Sequence, residues 1–302
     1  MKTAINFCGV TLRNPIVAAS GTAGFGREIE DLIGLPSLGG ISLKALTPKM
    51  RAGNPPPRVA ETPSGMLNAV GLQNPGINAF ERAEWPWVRE QDTAKIMNIA
   101  GSAEEDYIQM AQRAAALGPD IIEMNISCPN VREGGVAFGV KPESVRAITA
   151  AVKPHCGNVP LMVKLTPNTA SIAECAIAAQ EGGADALSLI NTLTGLAIDI
   201  HARKPILANV TGGLSGPAVR PVALRMVWEA AKAVTIPIMG MGGIMTGEDI
   251  VAFLLAGATA VQVGTALLVD PTSPLRMLEE LQQYGQRHGI EDINTIIGGL
   301  QC

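Results

Sequence analysis

Eight short apolar segments, separated by stretches with apolar residues at helical spacing, constrain the fold of this chain more than any other feature. The segments are residues 15–19, 40–45, 95–100, 120–126, 160–165, 186–191, 236–240 and 260–264. Most are apolar throughout, as strands are when both faces of a parallel sheet are covered. The intervening stretches predict helices over residues 104–117, 142–152, 171–182, 218–233, 247–256 and 273–288.

This alternation predicts an α/β fold, a (β/α)8 TIM barrel that forms one domain over residues 1–302. A short N-terminal β-hairpin, residues 3–12, is expected to close one end. An open doubly wound sheet is the alternative, but the glycine-rich turn at residues 21–26 lacks its G-x-G-x-x-G spacing. Long loops at 47–94, 129–141 and 192–216 all follow strand ends, so we expect them over the C-terminal face, where barrel active sites lie.

Composition limits the classes of function. With 47% hydrophobic and 17% charged residues the chain can bury a large core. A net charge of −4 without a basic run argues against nucleic-acid binding. The five cysteines are scattered and lack C-x-x-C spacing, which argues against a metal site or an iron–sulfur cluster on this chain. No signal-peptide pattern is found, and glycines and polar residues interrupt the apolar stretch 252–269, so we expect a cytoplasmic protein without a membrane span.

Polar side chains follow the ends of six predicted strands. They are Ser20, Lys44, Asn98, Asn125, Lys164, Asn191 and Thr192. Two lysines and three asparagines at one barrel mouth would cost desolvation energy without a ligand. The last two strands instead end in glycine turns, at residues 240–243 and 264–265, where barrels bind phosphate through backbone N–H groups. The pattern predicts a phosphorylated cofactor with its ring over the mouth and Lys164 as a nearby cation.

The segment from Asp120 to Asn130 carries a candidate reactive group. Its apolar run ends in Asn125, then Cys128 and Pro129, and Pro129 cannot continue a strand. Cys128 is either the chemical centre or a small residue that fits a turn, since cysteine is often a buried hydrophobe. No histidine follows a strand end in a comparable motif, so Cys128 is the best-placed group for proton transfer.

Three segments, together with the glycine turns, resemble class 1 dihydroorotate dehydrogenase. They are Asn125-Ile-Ser-Cys128-Pro-Asn130, Ser42-Leu-Lys44-Ala-Leu-Thr47 and Asn68-Ala-Val-Gly-Leu-Gln-Asn74-Pro-Gly76. The resemblance runs from Phe7 to about Val269. The Ala-Val pair after Asn68 resembles the pattern of the NAD-dependent 1B catalytic subunit at this position. Fumarate-using 1A enzymes typically have Ser-Met-Gly-Leu-Pro-Asn there. Membrane-associated class 2 enzymes have an N-terminal extension and a serine base, and this chain resembles them in neither respect.

The resemblance implies FMN-dependent oxidation of (S)-dihydroorotate to orotate in de novo pyrimidine (UMP) biosynthesis. It implies catalytic roles for Cys128, as general base, Lys44 and Asn125. It implies FMN contacts from Ser20, Lys44, Ala45, Asn98, Asn125, Lys164, Ile190, Gly216, Gly242, Gly243, Gly264 and Thr265. It implies substrate contacts from Lys44, Asn68, Ala69, Val70, Gly71, Leu72, Asn125, Asn191 and Thr192, and no metal.

The resemblance also implies a partner, because the chain has no dinucleotide fingerprint of its own. Electrons would pass to NAD through a subunit that carries FAD and a [2Fe–2S] cluster, around a homodimer core of a heterotetramer. Two alternatives stay open: a dihydropyrimidine (dihydrouracil) dehydrogenase-type flavoenzyme, and a non-catalytic FMN-binding barrel. The C-terminal residues 298–302 match no family motif, so Cys302 has no assigned role.

Overall fold

Eight parallel strands close into a barrel in the computed structural model, which describes residues 1–127 and 138–301. In chain order the strands are β1 (Ile5–Phe7), β2 (Val10–Leu12), β3 (Ile16–Ala18), β4 (Gly40–Ser42), β5 (Val59–Thr62), β6 (Gly65–Asn68), β7 (Ala94–Ile99), β8 (Ile121–Asn125), β9 (Leu161–Lys164), β10 (Ala186–Leu189), β11 (Leu193–Leu196), β12 (Ile198–Asp199), β13 (Lys204–Pro205), β14 (Thr211–Ser215), β15 (Ile238–Met241) and β16 (Ala260–Val263). The barrel order is β3-β4-β7-β8-β9-β10-β15-β16, and β16 pairs with β3 to close it. The predicted (β/α)8 architecture is confirmed.

Each of the eight predicted strands corresponds to one barrel strand, with ends that differ by up to three residues. The largest difference is at β4, which ends at Ser42, three residues before the predicted end. Strand β10 ends at Leu189, although its apolar run continues to Ile190. Ile190 and Asn191 have left the strand and lie at the mouth of the barrel. The pattern of apolar residues marks burial, whereas the strand ends where the parallel hydrogen-bond ladder ends.

Helices surround the barrel. They are α1 (Arg27–Ile33), α2 (Ile77–Ala83), α3 (Trp85–Val88), α4 (Glu104–Leu117), α5 (Pro142–Val152), α6 (Ile172–Glu181), α7 (Arg220–Ala233), α8 (Gly247–Leu255), α9 (Thr265–Val269) and α10 (Ser273–His288). All six predicted helices are present, and α4, α5 and α10 have the predicted bounds. The sequence analysis missed α1, α2, α3 and α9, because helices of seven residues or fewer show too few turns for a periodic pattern.

Local sequence explains where several helices begin and end. At the start of α8, Thr246 Oγ1 accepts a hydrogen bond of 3.2 Å from the backbone N–H of Asp249. The Asp249 carboxylate accepts one of 3.1 Å from the backbone N–H of Thr246, which completes a capping box. Helix α4 ends at Gly118, whose φ of 71° suits glycine. These caps fix the helices that pack on the barrel.

The N-terminal hairpin formed by β1 and β2 lies at the N-terminal end of the barrel strands, as predicted. Its strands pair antiparallel, and Phe7 and Leu12 are fully buried. Asn6 and Cys8 line a second cavity together with the residues that begin β15 and β16. The hairpin therefore covers the end of the barrel opposite the long loops.

Two of the long loops contain a second sheet, which the sequence analysis did not predict. Strands β5 and β6 from the loop after β4 join β11 and β14 from the loop after β10, in the antiparallel order β11-β14-β6-β5. We call these four strands the roof sheet. Of the third long loop, residues 129–137 lie outside the described residues. Within the described part of the chain, no helix is both long and apolar enough to cross a membrane.

Candidate functional site

A cavity of about 480 Å³ lies at the C-terminal ends of the barrel strands, between the barrel and the roof sheet. Its wall includes most of the residues predicted from sequence: Ser20, Lys44, Ala45, Asn68, Ala69, Val70, Gly71, Leu72, Asn125, Lys164, Ile190, Asn191, Thr192, Gly216, Gly242, Gly243, Gly264 and Thr265. Asn98 is fully buried and does not line the cavity. Cys128 lies outside the described residues, and the last one before it, Ser127, is on the wall. The strand ends therefore converge as the parallel topology requires.

Lys164 ends β9 and is buried, with 5% of its surface exposed. Among residues 1–127 and 138–301, no side chain forms an ion pair with its ammonium group, and no oxygen accepts a hydrogen bond from it. A buried ammonium group with three donors is costly without an acceptor. The wall of the cavity thus offers a cation that a ligand oxygen or nitrogen can satisfy.

Asn125 ends β8 beside Lys164 and is held by its neighbours. Its Oδ1 accepts a hydrogen bond of 3.2 Å from the backbone N–H of Ser127 and one of 3.5 Å from Nδ2 of Asn191. The hydroxyl of Tyr107 donates to its backbone carbonyl at 2.8 Å. These contacts use the oxygen of the Asn125 amide, and among the described residues no acceptor is bonded to its NH2 group, which can donate to a ligand.

Lys44 lies just beyond β4, and its backbone is fixed by two contacts. Its backbone N–H donates to the carbonyl of Gly24 at 2.9 Å, and Ser20 Oγ donates to the carbonyl of Leu43 at 2.8 Å. The Lys44 side chain is half-buried on the cavity wall. The site therefore has two lysines at different strand ends.

Glycines form the part of the wall that follows β14 and β15. A Cβ built on Gly243, where φ is 78°, would lie 2.8 Å from the carbonyl oxygen of Gly216. A Cβ on Gly216, where φ is 96°, would lie 2.8 Å from Cα of Gly65. Next to them, Thr265 Oγ1 donates to Ser215 Oγ at 2.9 Å. Only glycine allows this close approach of backbones, which is how turns present N–H groups to phosphate.

The roof sheet brings the predicted substrate residues over the mouth. Asn68 ends β6, and its Nδ2 donates to the carbonyl of Gly213 on β14 at 3.5 Å. On the other side, Asn168 Nδ2 donates to the carbonyl of Thr192 at 3.0 Å, and Asn168 Oδ1 accepts from the backbone N–H of Thr194 at 3.0 Å. Asn168, which the sequence analysis did not single out, thus joins the loop after β9 to the roof sheet.

Glu123 is a buried charged residue that the sequence analysis missed. It lies inside the barrel on β8 with no exposed surface. Burial opposes ionisation, but the positive charge of Lys164 and hydrogen bonds from Ser42, Ser188 and Asn98 outweigh it and hold the pKa of Glu123 below its usual value. An acidic residue in the middle of the apolar run 120–126 was the available signal, since a strand covered on both faces rarely contains a charge without a partner.

These residues fit a flavin mononucleotide. The glycine turns and Thr265 suit its phosphate, and the buried ammonium of Lys164 suits an electron-rich edge of its ring system. Two buried oxygens, Asn98 Oδ1 and Gln262 Oε1, have no hydrogen-bond partner among the described residues. In the same part of the chain, no three His, Cys, Asp or Glu side chains are grouped to hold a metal ion.

Comparison with known proteins shows the family of this chain. The family model for dihydroorotate dehydrogenase matches residues 2–284. A relative from Alkaliphilus oremlandii, named dihydroorotate dehydrogenase B (NAD(+)), catalytic subunit, is 53% identical over 296 residues, which are 98% of this chain and 98% of the relative. Relatives with the same name from Thermoanaerobacter pseudethanolicus and Geobacter sulfurreducens are 52% identical over 301 residues (100% of this chain, 99% of the relative) and 50% identical over 299 residues (98% and 97%).

A solved structure shares the fold. The crystal structure of DHODH from Eimeria tenella in complex with ferulenol has a TM-score of 0.81 and 23% sequence identity to this chain. The match covers 99% of this chain and 88% of that one. At this level of identity the likeness shows the common barrel architecture alone.

Proposed function

Because the chain belongs to the dihydroorotate dehydrogenase family of oxidoreductases, we propose that it oxidises (S)-dihydroorotate to orotate in the de novo synthesis of UMP. The observation that carries the proposal is the buried ammonium group of Lys164, which lies beside Asn125 on the wall of a cavity with glycine turns. A cation, amides and a phosphate-binding turn together suit a flavin and a planar anionic pyrimidine.

FMN is the proposed cofactor of this chain. When bound, it supplies a two-electron acceptor for the hydride that leaves C6 of dihydroorotate. The predicted residues that line the cavity would hold it: Ser20, Lys44, Ala45, Asn125, Lys164, Ile190, Gly216, Gly242, Gly243, Gly264 and Thr265. Asn98, also predicted, does not line the cavity. Lys164 would stabilise negative charge at the N1–O2 edge of the ring.

The chain's own chemical task is to remove the proton from C5. We assign this task to Cys128 as general base, on the strength of its motif, since it lies outside the described residues. A thiolate is the reactive form, and the half-buried Lys44 is a cation that would favour it. Lys44 would also bind the carboxylate of the substrate.

Amides would orient the pyrimidine ring for this step. Asn125, Asn191 and Asn68 each carry both a donor and an acceptor, and the ring has amide N–H and C=O groups that match them. The backbone from Ala69 to Leu72 and the Thr192 side chain complete the proposed substrate set. Orientation of this kind can contribute several kcal/mol to the lowering of a barrier.

The route of the electrons to NAD requires a partner. The chain has no dinucleotide fingerprint after a strand, so we propose that a second subunit with FAD and a [2Fe–2S] cluster passes electrons to NAD. The name "catalytic subunit" of the relatives supports an assembly. A homodimer core within a heterotetramer, located in the cytoplasm, completes the proposal.

Anaerobic addition of dihydroorotate to the purified chain tests the activity. We expect a yellow protein whose visible flavin absorbance bleaches with dihydroorotate and not with dihydrouracil. Bleaching by dihydrouracil instead would identify a dihydropyrimidine dehydrogenase-type enzyme. A yellow protein that neither compound bleaches would indicate a non-catalytic flavin-binding barrel.

A second experiment tests the electron route. The isolated chain should pass electrons from dihydroorotate to artificial dyes, with negligible reduction of NAD⁺ until the iron–sulfur/FAD subunit is added. Rapid reduction of NAD⁺ by the chain alone would contradict the proposed partner. Efficient turnover with fumarate alone would move the chain to the 1A class.

A further inference from the structure

Glu123 accepts hydrogen bonds from side chains on four other barrel strands. Its Oε2 accepts from Ser42 Oγ at 2.6 Å and from Asn98 Nδ2 at 2.5 Å. Its Oε1 accepts from Ser188 Oγ at 2.7 Å and from Gln262 Nε2 at 2.8 Å. Each carboxylate oxygen thus has two donors, and the donors come from β4, β7, β10 and β16.

A charge at this position is a poor choice for stability alone. The interior of a (β/α)8 barrel is normally filled with branched apolar side chains. Replacing a buried ion pair with apolar residues is often neutral or stabilising, whereas removing one partner leaves an uncompensated charge. The Glu123 carboxylate is therefore best explained by what it does to its neighbours.

Two residues that interact with Glu123 belong to the wall of the cavity. Lys164 and Gln262 are on the cavity wall, and Glu123 is behind them. Because a carboxylate only accepts hydrogen bonds, it turns the NH2 groups of Asn98 and Gln262 towards itself, and their amide oxygens have no hydrogen-bond partner among the described residues. Lys164 pairs with Asn125 in the parallel register of β8 and β9, and Glu123 lies two residues before Asn125, so the side chains of Glu123 and Lys164 are on the same face of the sheet. The positive charge of Lys164 favours the ionised form of the Glu123 carboxylate.

We propose that Glu123 is the buried counter-charge of Lys164, a positioning residue that balances the effect of the Lys164 ammonium group on a bound flavin. The balance has a physical consequence. A lone ammonium group here would favour the reduced flavin more strongly, and a lone carboxylate would oppose reduction. The inference rests on the proposed binding of FMN.

A double-mutant cycle with Glu123→Gln and Lys164→Met tests the pairing. The dissociation constant of FMN is measured by titration of the apoproteins. Lys164→Met leaves the buried carboxylate without its counter-charge and should weaken FMN binding by about 100-fold, which corresponds to about 2.7 kcal/mol. The double variant should bind FMN at least about tenfold more tightly than Lys164→Met does, since it removes the stranded charge.

The reduction potential of the bound flavin should change if Glu123 acts through its charge, and should stay the same if Glu123 only supports the fold. In the Lys164→Met background, Glu123→Gln should raise the dissociation constant of oxidised FMN relative to that of reduced FMN about tenfold. This change corresponds to a rise of about 30 mV in the reduction potential of a two-electron couple. Ser188→Ala removes one hydrogen bond to Glu123 and keeps its charge, so it should lower the melting temperature and leave this ratio unchanged. Glu90→Gln and Lys232→Met change exposed residues and serve as controls.

The outcomes separate the possible failures. A double variant that binds FMN no more tightly than Lys164→Met overturns the pairing. If a single variant does not fold, recovery of soluble protein in the double variant shows that the two substitutions compensate each other. A double variant that also fails to fold overturns the proposal. If the unmodified chain binds no FMN, the proposed function fails, while melting temperatures of the four apoproteins still test whether Glu123 and Lys164 compensate each other.

Discussion

Asn125 lies directly opposite Lys164 in the parallel register of β8 and β9. Paired residues of adjacent strands point to the same face of a sheet, so the amide and the ammonium group lie side by side at the mouth of the barrel. The backbone beyond them is joined as well, because Ser127 Oγ donates to the carbonyl oxygen of Lys164 at 2.8 Å. The backbone just before Cys128 is thus tied to the strand that carries the buried cation.

Replacing the proposed general base should separate chemistry from folding. Cys128→Ala should retain FMN and slow its reduction by dihydroorotate roughly 10²–10⁴-fold, the usual contribution of a general base. Cys128→Ser should stay impaired near neutral pH, because a hydroxyl is a much weaker base than a thiolate. Stopped-flow absorbance measures both rates. Cys8→Ser, at the opposite end of the barrel, is the control, and a normal rate in Cys128→Ala would exclude Cys128 from the mechanism.

Loss of an orienting amide should affect the substrate and not the flavin. Asn191→Ala removes the donor to Asn125 Oδ1 and the acceptor of the Thr192 backbone N–H at 2.8 Å. We expect the Kd for orotate to rise about 10–100-fold, as for loss of a hydrogen bond to a charged or tightly held ligand. Titration of the flavin spectrum with orotate measures it, with Asn6→Ala as a distant control. Release of FMN from Asn191→Ala would show that the residue belongs to the cofactor site instead.

Two glycine substitutions should distinguish crowding from backbone strain. Gly118 and Gly243 have φ values of 71° and 78°, but a Cβ on Gly118 meets nothing within 4 Å, whereas one on Gly243 lies 2.7 Å from Cβ of Arg220. Gly118→Ala should cost about 1 kcal/mol of unfolding free energy, the penalty for the left-handed conformation, with unchanged FMN affinity. Gly243→Ala should cost more and weaken FMN binding at least about tenfold, because the turn must move. Denaturant unfolding and FMN titration measure the two effects, and equal results for both variants would refute a role of the Gly243 turn in binding FMN.

A buried thiol should make the protein less stable in alkaline solution. Burial raises the pKa of Cys156 from 9.0 to about 11, and its side chain has no exposed surface. A raised pKa in the folded state means that the unfolded chain loses this proton first, so the contribution to stability is present below about pH 9 and is lost as pH rises towards 11. The unfolding free energy should therefore fall over this interval more steeply than in Cys156→Ala. Urea denaturation at several pH values measures the slopes, and parallel slopes would contradict the shift.

Much of the barrel and of the cavity wall could be predicted from sequence because both depend on local order. A buried parallel strand is recognisable as an apolar run, and the residue that follows it must lie at the C-terminal face wherever the strand sits in the barrel. Lys164 ends β9 and Gly243 follows β15, so the apolar runs that predict these two strands also predict that both residues lie on the cavity wall. The roles assigned to them remain predictions.

Tertiary structure alone decided which groups meet across long distances in sequence. The roof sheet joins Asn68 to Gly213, 145 residues away, and no local periodicity in either loop specifies the other as its partner. In the same way Asn98, predicted to contact the cofactor, is bound to Glu123 beneath the cavity. Strand pairing and the closure of β16 onto β3 bring four strands around one carboxylate. Hydrogen bonds of this kind form only where the closed barrel places donor and acceptor within reach. The sequence by itself therefore determined the strands and the side chains near their ends, whereas barrel closure determined which side chains become hydrogen-bond partners.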